Sequence, residues 1–231
     1  MRAAVVVFPG SNADAEMIHT LRDVLGVTTE IVWHKDRELP GAIDLVALPG
    51  GFAYGDYLRC GAICRASPII GAIRAHAAAG GLVLGVCNGF QILTEVGLLP
   101  GALTRNAHLR FECGDTWVTP VADGPFTAGL PKALRLPIAH AEGRYQIDAA
   151  GLATLEASGR IALRYSDAKG VASETGPNGS LRGIAGVYGG ERKNVMGLMP
   201  HPERQSEPLH GGTDGRLLFD AAVRSLAARA A

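Results

Sequence analysis

The hydrophobic pattern alternates between short, unbroken apolar runs and longer stretches with helical spacing. Residues 3–8 (AAVVVF) are continuously apolar, and over 13–25 (ADAEMIHTLRDVL) Met17, Ile18, Leu21, Val24 and Leu25 recur at helical spacing until Gly26 closes the run. Residues 28–33 (TTEIVW) and 43–48 (IDLVAL) read as strands. Ser67-Pro68 opens a helical run through Ala79 that stops at Gly80 and Gly81. A further strand over 82–86 (LVLGV) leads into a helix from Asn88 to about Val96. Short apolar strands alternating with helices predict βαβ units, hence a doubly wound, mainly parallel α/β sheet flanked by helices on both faces.

From Gly101 to about Tyr165 the pattern changes to short β-like pieces, such as 116–121 (TWVTPV) and 134–139 (LRLPIA), with frequent glycine and proline. This predicts a small antiparallel extension. Residues 166–194 read as loop-rich, 195–199 (VMGLM) as a late core strand and 214–229 as a terminal amphipathic helix. No internal repeat or low-complexity linker divides the chain, and 231 residues suit one large α/β domain over 1–231.

Lysine plus arginine (22) equals aspartate plus glutamate (22), so no excess positive field draws nucleic acid or an anionic membrane. No window approaches the roughly 20 apolar residues of a membrane span. The first apolar run ends at Pro9-Gly10 without a cleavage-type region and reads as a strand rather than a signal peptide. Cys60, Cys64, Cys87 and Cys113 form no CxxC pair and are expected as free thiols, which favours the cytoplasm.

One of these thiols sits where a strand turns into a helix, in Gly85-Val86-Cys87-Asn88-Gly89-Phe90-Gln91. Ligands bind beyond the carboxyl ends of strands in open α/β sheets, and a residue in a tight strand-to-helix turn is presented outward, as in a nucleophile elbow. The helix amino terminus favours a thiolate there. The competing reading of Cys87 is a buried structural cysteine. A nucleophilic thiol needs a histidine base steadied by a third polar group. Two of the seven histidines precede a glutamate by two positions: His140-Ala141-Glu142 and His201-Pro202-Glu203. In an extended segment either glutamate would point the same way as its histidine. The second pair follows the VMGLM strand and is stiffened by Pro200 and Pro202, which favours it without deciding the matter. The strand ending in Pro49-Gly50-Gly51 offers backbone N–H groups of the kind that form an oxyanion hole.

Beyond these local signals, the runs FPGSNADAE, LPGGFAYGDYLRCGAICRASPI, GVCNGFQIL, RNAHLRFEC, PIAHAEGRY, PNGS and GLMPHPER span almost the whole chain. In them the sequence resembles the flavodoxin-like class I glutamine amidotransferases, and within that superfamily the small glutaminase subunits of phosphoribosylformylglycinamidine synthases. The resemblance implies Cys87 as nucleophile, His201 as base and Glu203 as its orienting carboxylate. It implies an oxyanion hole from the N–H groups of Gly51 and Asn88, and glutamine contacts from Gln91, with Phe52, Asn106 and Phe111 as further lining residues. The His140 and PNGS runs are expected near the site mouth or a partner surface. The partner implied is an ATP-dependent synthetase subunit, with the need for a third small subunit left open; ATP and magnesium are expected on that partner, and no cofactor or metal on this chain. The sequence departs from the family pattern at FECGDTWV, where a basic residue is expected soon after the cysteine.

Of the remaining features, Cys60, Cys64 and Cys113 read as packed thiols rather than metal ligands. The GSNAD run after the first strand lacks a phosphate-loop pattern and reads as helix capping. Two rival functions differ in what they require: a stand-alone cysteine hydrolase or peptidase needs no synthetase, and a non-catalytic flavodoxin-like module leaves Cys87 inert.

Overall fold

The unbroken apolar runs become strands buried on both faces. In a computed structural model, which describes residues 1–230, strand β1 (Arg2–Val7) leads into helix α1 (Asp14–His19) and one π-helical turn (Thr20–Val24), then β2 (Thr28–Trp33) and β3 (Leu45–Leu48). Helix α2 (Ile69–Ala78), β4 (Leu82–Val86) and α3 (Asn88–Glu95) follow. Next come β5 (Ala102–Thr104), β6 (Glu112–Pro120), β7 (Leu134–His140), β8 (Arg144–Gln146), α4 (Ala149–Ala157) and β9 (Ile161–Ser166). The chain closes with β10 (Ile184–Gly189), β11 (Val195–Leu198) and α5 (Arg216–Ala230).

Nine strands form one sheet in the order β2-β1-β3-β4-β11-β10-β9-β6-β7, and β5 pairs with β8 separately. The pairings from β2 through β11 are parallel and those from β11 to β7 antiparallel. This is the doubly wound sheet with an antiparallel extension that the pattern predicts. Residues 45–48, 82–86 and 195–198 are buried throughout, as parallel strands covered by helices must be. The chain leaves β1 for β2 on one side and returns to β3 on the other, so strand order reverses between β1 and β3. Such a switch point opens a crevice at the strands' carboxyl ends.

Three differences from the sequence reading have physical causes. Strand β10 lies in the segment read as loop because Gly186 and Gly189 make IAGVYGG look like a turn. Those glycines serve close packing instead: a Cβ on Gly186 would sit 2.8 Å from the Gly197 carbonyl oxygen, and one on Gly189 would sit 2.3 Å from that of Leu98. Helix α4 lies among pieces read as β-like; it fully buries only Leu155 and starts at Asp148, whose side chain accepts from Gly151 N–H at 2.7 Å. Cys113, expected as packed, is exposed. It lies in the part of β6 that pairs with β7 alone, since β9 reaches only residues 117–120.

No helix among the described residues is long and apolar enough to cross a membrane.

Candidate active site

Cys87 closes β4 and caps α3 in a conformation that L-residues rarely adopt, φ 51° and ψ −104°. Its N–H donates to the Leu198 carbonyl at 2.8 Å, which ties the elbow to the end of β11. Gly89 lets α3 start this close to the sheet: a Cβ there would lie 2.0 Å from the Leu48 carbonyl oxygen. Strain of this kind is held where surrounding structure over-determines it, often at functional sites.

His201 follows β11, the strand beside β4. Its N–H donates to the Pro137 carbonyl at 2.8 Å, so the β6–β7 arm reaches back to the carboxyl end of the parallel half. The ring Nδ1 meets Glu203 Oε1 at 2.5 Å. The pair is not extended, as the sequence reading supposed; Pro202–Gln205 form a 3₁₀ turn that folds Glu203 back under the ring. Burial disfavours the charged ring, but the Glu203 carboxylate, followed by Cys87, outweighs it and pushes the His201 pKa up to about 10. Cys87 acts on the ring electrostatically, yet Nε2 makes no hydrogen bond of good geometry. The thiol instead lies 3.8 Å from the Ala139 carbonyl oxygen. A catalytic pair is commonly loose in this way before substrate binds.

Gly50 is the point about which Cys87 and His201 converge: a Cβ there would lie 2.6 Å from His201 Cε1 and 3.4 Å from Cys87 Cβ. Its neighbour Gly51, at φ 152°, has no room for a side chain either, since a Cβ would come within 2.6 Å of Ser11 Cα. The turns after β1 and β3 are joined here. Phe52 N–H donates to the Gly10 carbonyl, and Asn12 and Ala13 N–H both donate to that of Gly50. These bonds bracket the Ser11–Gly51 bridge and leave the Gly51 N–H out of it. The Asn88 N–H is in the first turn of α3 and so has no intrahelical acceptor. The Asn88 side chain accepts from Ala53 N–H at 3.1 Å, pinning the Gly51 loop to the start of α3. The two donors expected of an oxyanion hole are thus free and held in mutual register.

The GSNAD run is therefore a strut rather than a helix cap. Helix α1 has no side-chain cap, and Ser11 Oγ accepts from Phe8 N–H.

A cleft of about 140 Å³ is lined by Asn12, Gly51, Phe52, Cys87, Phe111, Ala139, His201 and Arg204. Cys87, His201, Gly51, Phe52 and Phe111 meet there as expected, with buried Glu203 behind His201. Gln91 and Asn106 do not line the cleft. Gln91 accepts from Asn88 Nδ2 and donates to the Glu142 carbonyl at 2.6 Å. Asn106, wholly buried, accepts from Gly143 N–H and His140 Nδ1, and donates to the carbonyls of His140 and Arg110. Asn12 and Arg204 were not foreseen, although both lie inside quoted motifs, Arg204 next to Glu203. A wider hollow of about 390 Å³ under Arg74 and Arg192 lies near the amino ends of β4 and β11 and contains no nucleophile.

His140, the other candidate base, is buried with its pKa lowered to about 4, by desolvation first and by His201 second. Cys60 and Cys64 are buried, and burial raises both thiol pKa values, that of Cys64 to about 12. No group of three His, Cys, Asp or Glu among the described residues is placed to hold a metal ion.

The fold and this cleft define a glutamine amidotransferase of class I, and the model of the CobB/CobQ-like glutamine amidotransferase domain matches residues 1–212. The chain is 49% identical over 230 residues to phosphoribosylformylglycinamidine synthase subunit PurQ of Bradyrhizobium diazoefficiens, covering 98% of each. It is 51% identical over 230 residues to the same subunit of Rhodospirillum rubrum, covering 98% of this chain and 100% of that one. A chain in the structure of PurLQS from Thermotoga maritima superposes with a TM-score of 0.83 at 42% identity, covering 97% of this chain and 98% of that one. The chain belongs to the PurQ family of phosphoribosylformylglycinamidine synthase subunits.

Proposed function

We propose that this chain works as one amidotransferase domain that hydrolyses glutamine to glutamate and ammonia, and delivers the ammonia to a synthetase subunit. There it supports the ATP-dependent conversion of formylglycinamide ribonucleotide to formylglycinamidine ribonucleotide in purine biosynthesis. The observation that carries the reading is the Cys87 elbow facing a buried His201–Glu203 pair across Gly50.

Cys87 reacts as the thiolate, its proton carried by His201. Sulfur attacks the side-chain amide carbon of glutamine, and the carbonyl oxygen becomes an oxyanion against the Gly51 and Asn88 N–H groups. His201 Nε2 then protonates the amide nitrogen, the C–N bond breaks and ammonia leaves. The neutral ring takes a proton from water, whose oxygen attacks the γ-glutamyl thioester. Collapse of that second intermediate releases glutamate and restores the thiolate with its imidazolium. Glu203 holds the ring in the tautomer that presents Nε2 throughout. Phe52 and Phe111, each about half exposed, wall the cleft mouth.

The synthetase is the intended partner, and the designation PurLQS of the Thermotoga assembly supports a third component beside it. ATP and magnesium belong on the synthetase. The four cysteines are unpaired, which supports a reducing compartment, the cytoplasm.

The test is Cys87→Ala in the assembled complex. Glutamine-supported product formation should be abolished while added ammonia still supports it. Retained glutamine use would sink the assignment of the nucleophile. An isolated chain that is fully active and binds no synthetase would instead favour a stand-alone hydrolase.

A further inference from the structure

The Glu203 carboxylate is sparsely held. Oε1 meets His201, while Oε2 is buried with no partner among the described residues. A side chain with one hydrogen bond takes its position from its backbone, so whatever fixes the Glu203 main chain also aims the carboxylate. The Glu203 carbonyl oxygen lies 3.1 Å from the Thr20 hydroxyl and 3.2 Å from the Ser206 hydroxyl, and those hydroxyls are 2.9 Å apart. All three residues are wholly buried, at 0% exposure. Two hydroxyl protons serve this triangle of oxygens. In every arrangement that satisfies both donors the carbonyl accepts at least one of them, directly from Thr20 or through Ser206.

Thr20 is placed for this by an irregularity in its own element. A helical threonine ordinarily returns its hydroxyl to a carbonyl three or four residues back. Thr20 instead reaches a residue 183 positions away. It opens the π-helical turn, where Leu25 N–H bonds the Thr20 carbonyl at 3.1 Å, and such turns recur at functional sites. Valine would fill similar space without a buried hydroxyl, which costs energy unless bonded. Packing therefore does not account for the hydroxyl. Two other links join the same elements, Arg204 to Glu16 at 3.4 Å and His19 to Glu207 at 2.9 Å. Both are partly solvent-accessible, which weakens their hold on position.

We propose that Thr20 is a positioning residue for glutamine hydrolysis: together with Ser206 it anchors the Glu203 backbone and so sets the Glu203–His201 contact. The inference rests on the Cys87–His201–Glu203 reading. It adds a structural input to the site from the π-helical turn that follows α1.

The experiment compares Thr20→Val, Ser206→Ala, the double variant, Thr20→Ser and, as reference, Glu203→Ala, all in the assembled complex with glutamine and separately with ammonia. Each single loss leaves one hydroxyl on the carbonyl, so Thr20→Val should lower glutamine-dependent kcat by about 5-fold, and the double variant by roughly 30-fold or more, towards Glu203→Ala. KM for glutamine should stay within about 2-fold, because the substrate touches neither hydroxyl. Thr20→Ser should recover most of the loss, and ammonia-dependent turnover should persist in every variant. If Glu203→Ala is itself as active as the parent, the triad reading fails and this inference with it. If Glu203→Ala is impaired but the double variant is not, the triad stands and the anchoring role is wrong. A loss that Thr20→Ser fails to recover, with KM and thermal stability altered together, assigns Thr20 to packing and overturns the proposal.

Discussion

Replacing Gly50 with alanine adds one methyl group at the point where His201 and Cys87, the proposed base and nucleophile, converge. The new Cβ would lie 2.6 Å from His201 Cε1, a contact that real Cβ atoms essentially never show, whereas ordinary contact is 3.4–4 Å. Gly50 has no positive φ, so the substitution strains no backbone dihedral. The ring itself must retreat, by about 1 Å. The ring is tethered at Nδ1 to Glu203, and the His201 backbone N–H is bonded to the Pro137 carbonyl, so the ring cannot retreat without losing alignment with Cys87. A misplacement of about 1 Å in a reacting group costs on the order of 100-fold in rate, or about 2.7 kcal/mol in barrier. Overpacking of this kind costs roughly 1–3 kcal/mol in stability, which the domain can absorb. The assay is glutamine-dependent kcat of Gly50→Ala in the complex, with ammonia-dependent turnover as the measure of intact assembly. A variant that keeps ammonia use and loses glutamine use by about two orders of magnitude supports the geometry. Glutamine-dependent kcat within about 3-fold of the parent would refute the argument that ring position is what Gly50 protects.

Other substitutions separate the groups by role. His201→Ala should reduce glutamine hydrolysis far more than His140→Ala; equal losses in folded variants, measured by glutamate release, would reject the assignment of the proton carrier. His140 should instead govern acid stability. Its folded pKa of about 4 lies below the ordinary 6.5, so the stability it contributes is complete above pH 6.5 and is lost as pH falls from 6.5 through 4, by about 3 kcal/mol at 1.36 kcal/mol per pH unit. Urea midpoints of His140→Gln should fall less steeply over that window than those of the parent, and parallel slopes would contradict the linkage. Gly71→Ala is a contrast to Gly50→Ala: Gly71 lies in α2 with nothing within 4 Å of a built Cβ, so thermal melts should show stabilisation of about 0.5–1 kcal/mol with turnover unchanged.

What could be read from the residues depended on the range over which each feature is determined. Strands 82–86 and 195–198 were legible because double-sided burial leaves an unbroken apolar run, and the Cys87 elbow because its neighbouring residues carry the turn. Strand β10 was not, since its glycines are explained only by the Gly197 and Leu98 carbonyls they pack against. The same holds for the GSNAD strut, whose bonds to Gly50 and Phe52 tie it to a turn about 40 residues away. Asn12 enters the cleft by that route. Gln91 and Asn106 enter as glutamine contacts only through the family resemblance, since no local pattern marks them. Only the fold shows those amides spent on the 140–143 turn.

That turn explains why the chain holds two His-x-Glu sequences with opposite properties. Gln91 Nε2 binds the Glu142 carbonyl, Asn106 binds His140 and the Gly143 N–H, and Asn178 Nδ2 binds the Gly143 carbonyl. The stretch is thus clamped by three amides directly after Ala139, the residue whose carbonyl faces the Cys87 thiol. Here His140 has an amide oxygen as partner, which accepts the Nδ1 proton but offers no charge to offset burial, and its pKa falls. Glu142 turns away, with Arg105 3.7 Å from its Oε1. Around His201 the 3₁₀ turn brings the glutamate back onto the ring, and the same burial is outweighed by a full negative charge. Spacing alone makes the two pairs equivalent. The backbone after each histidine decides which one gains a carboxylate against its ring and which one is left to desolvation.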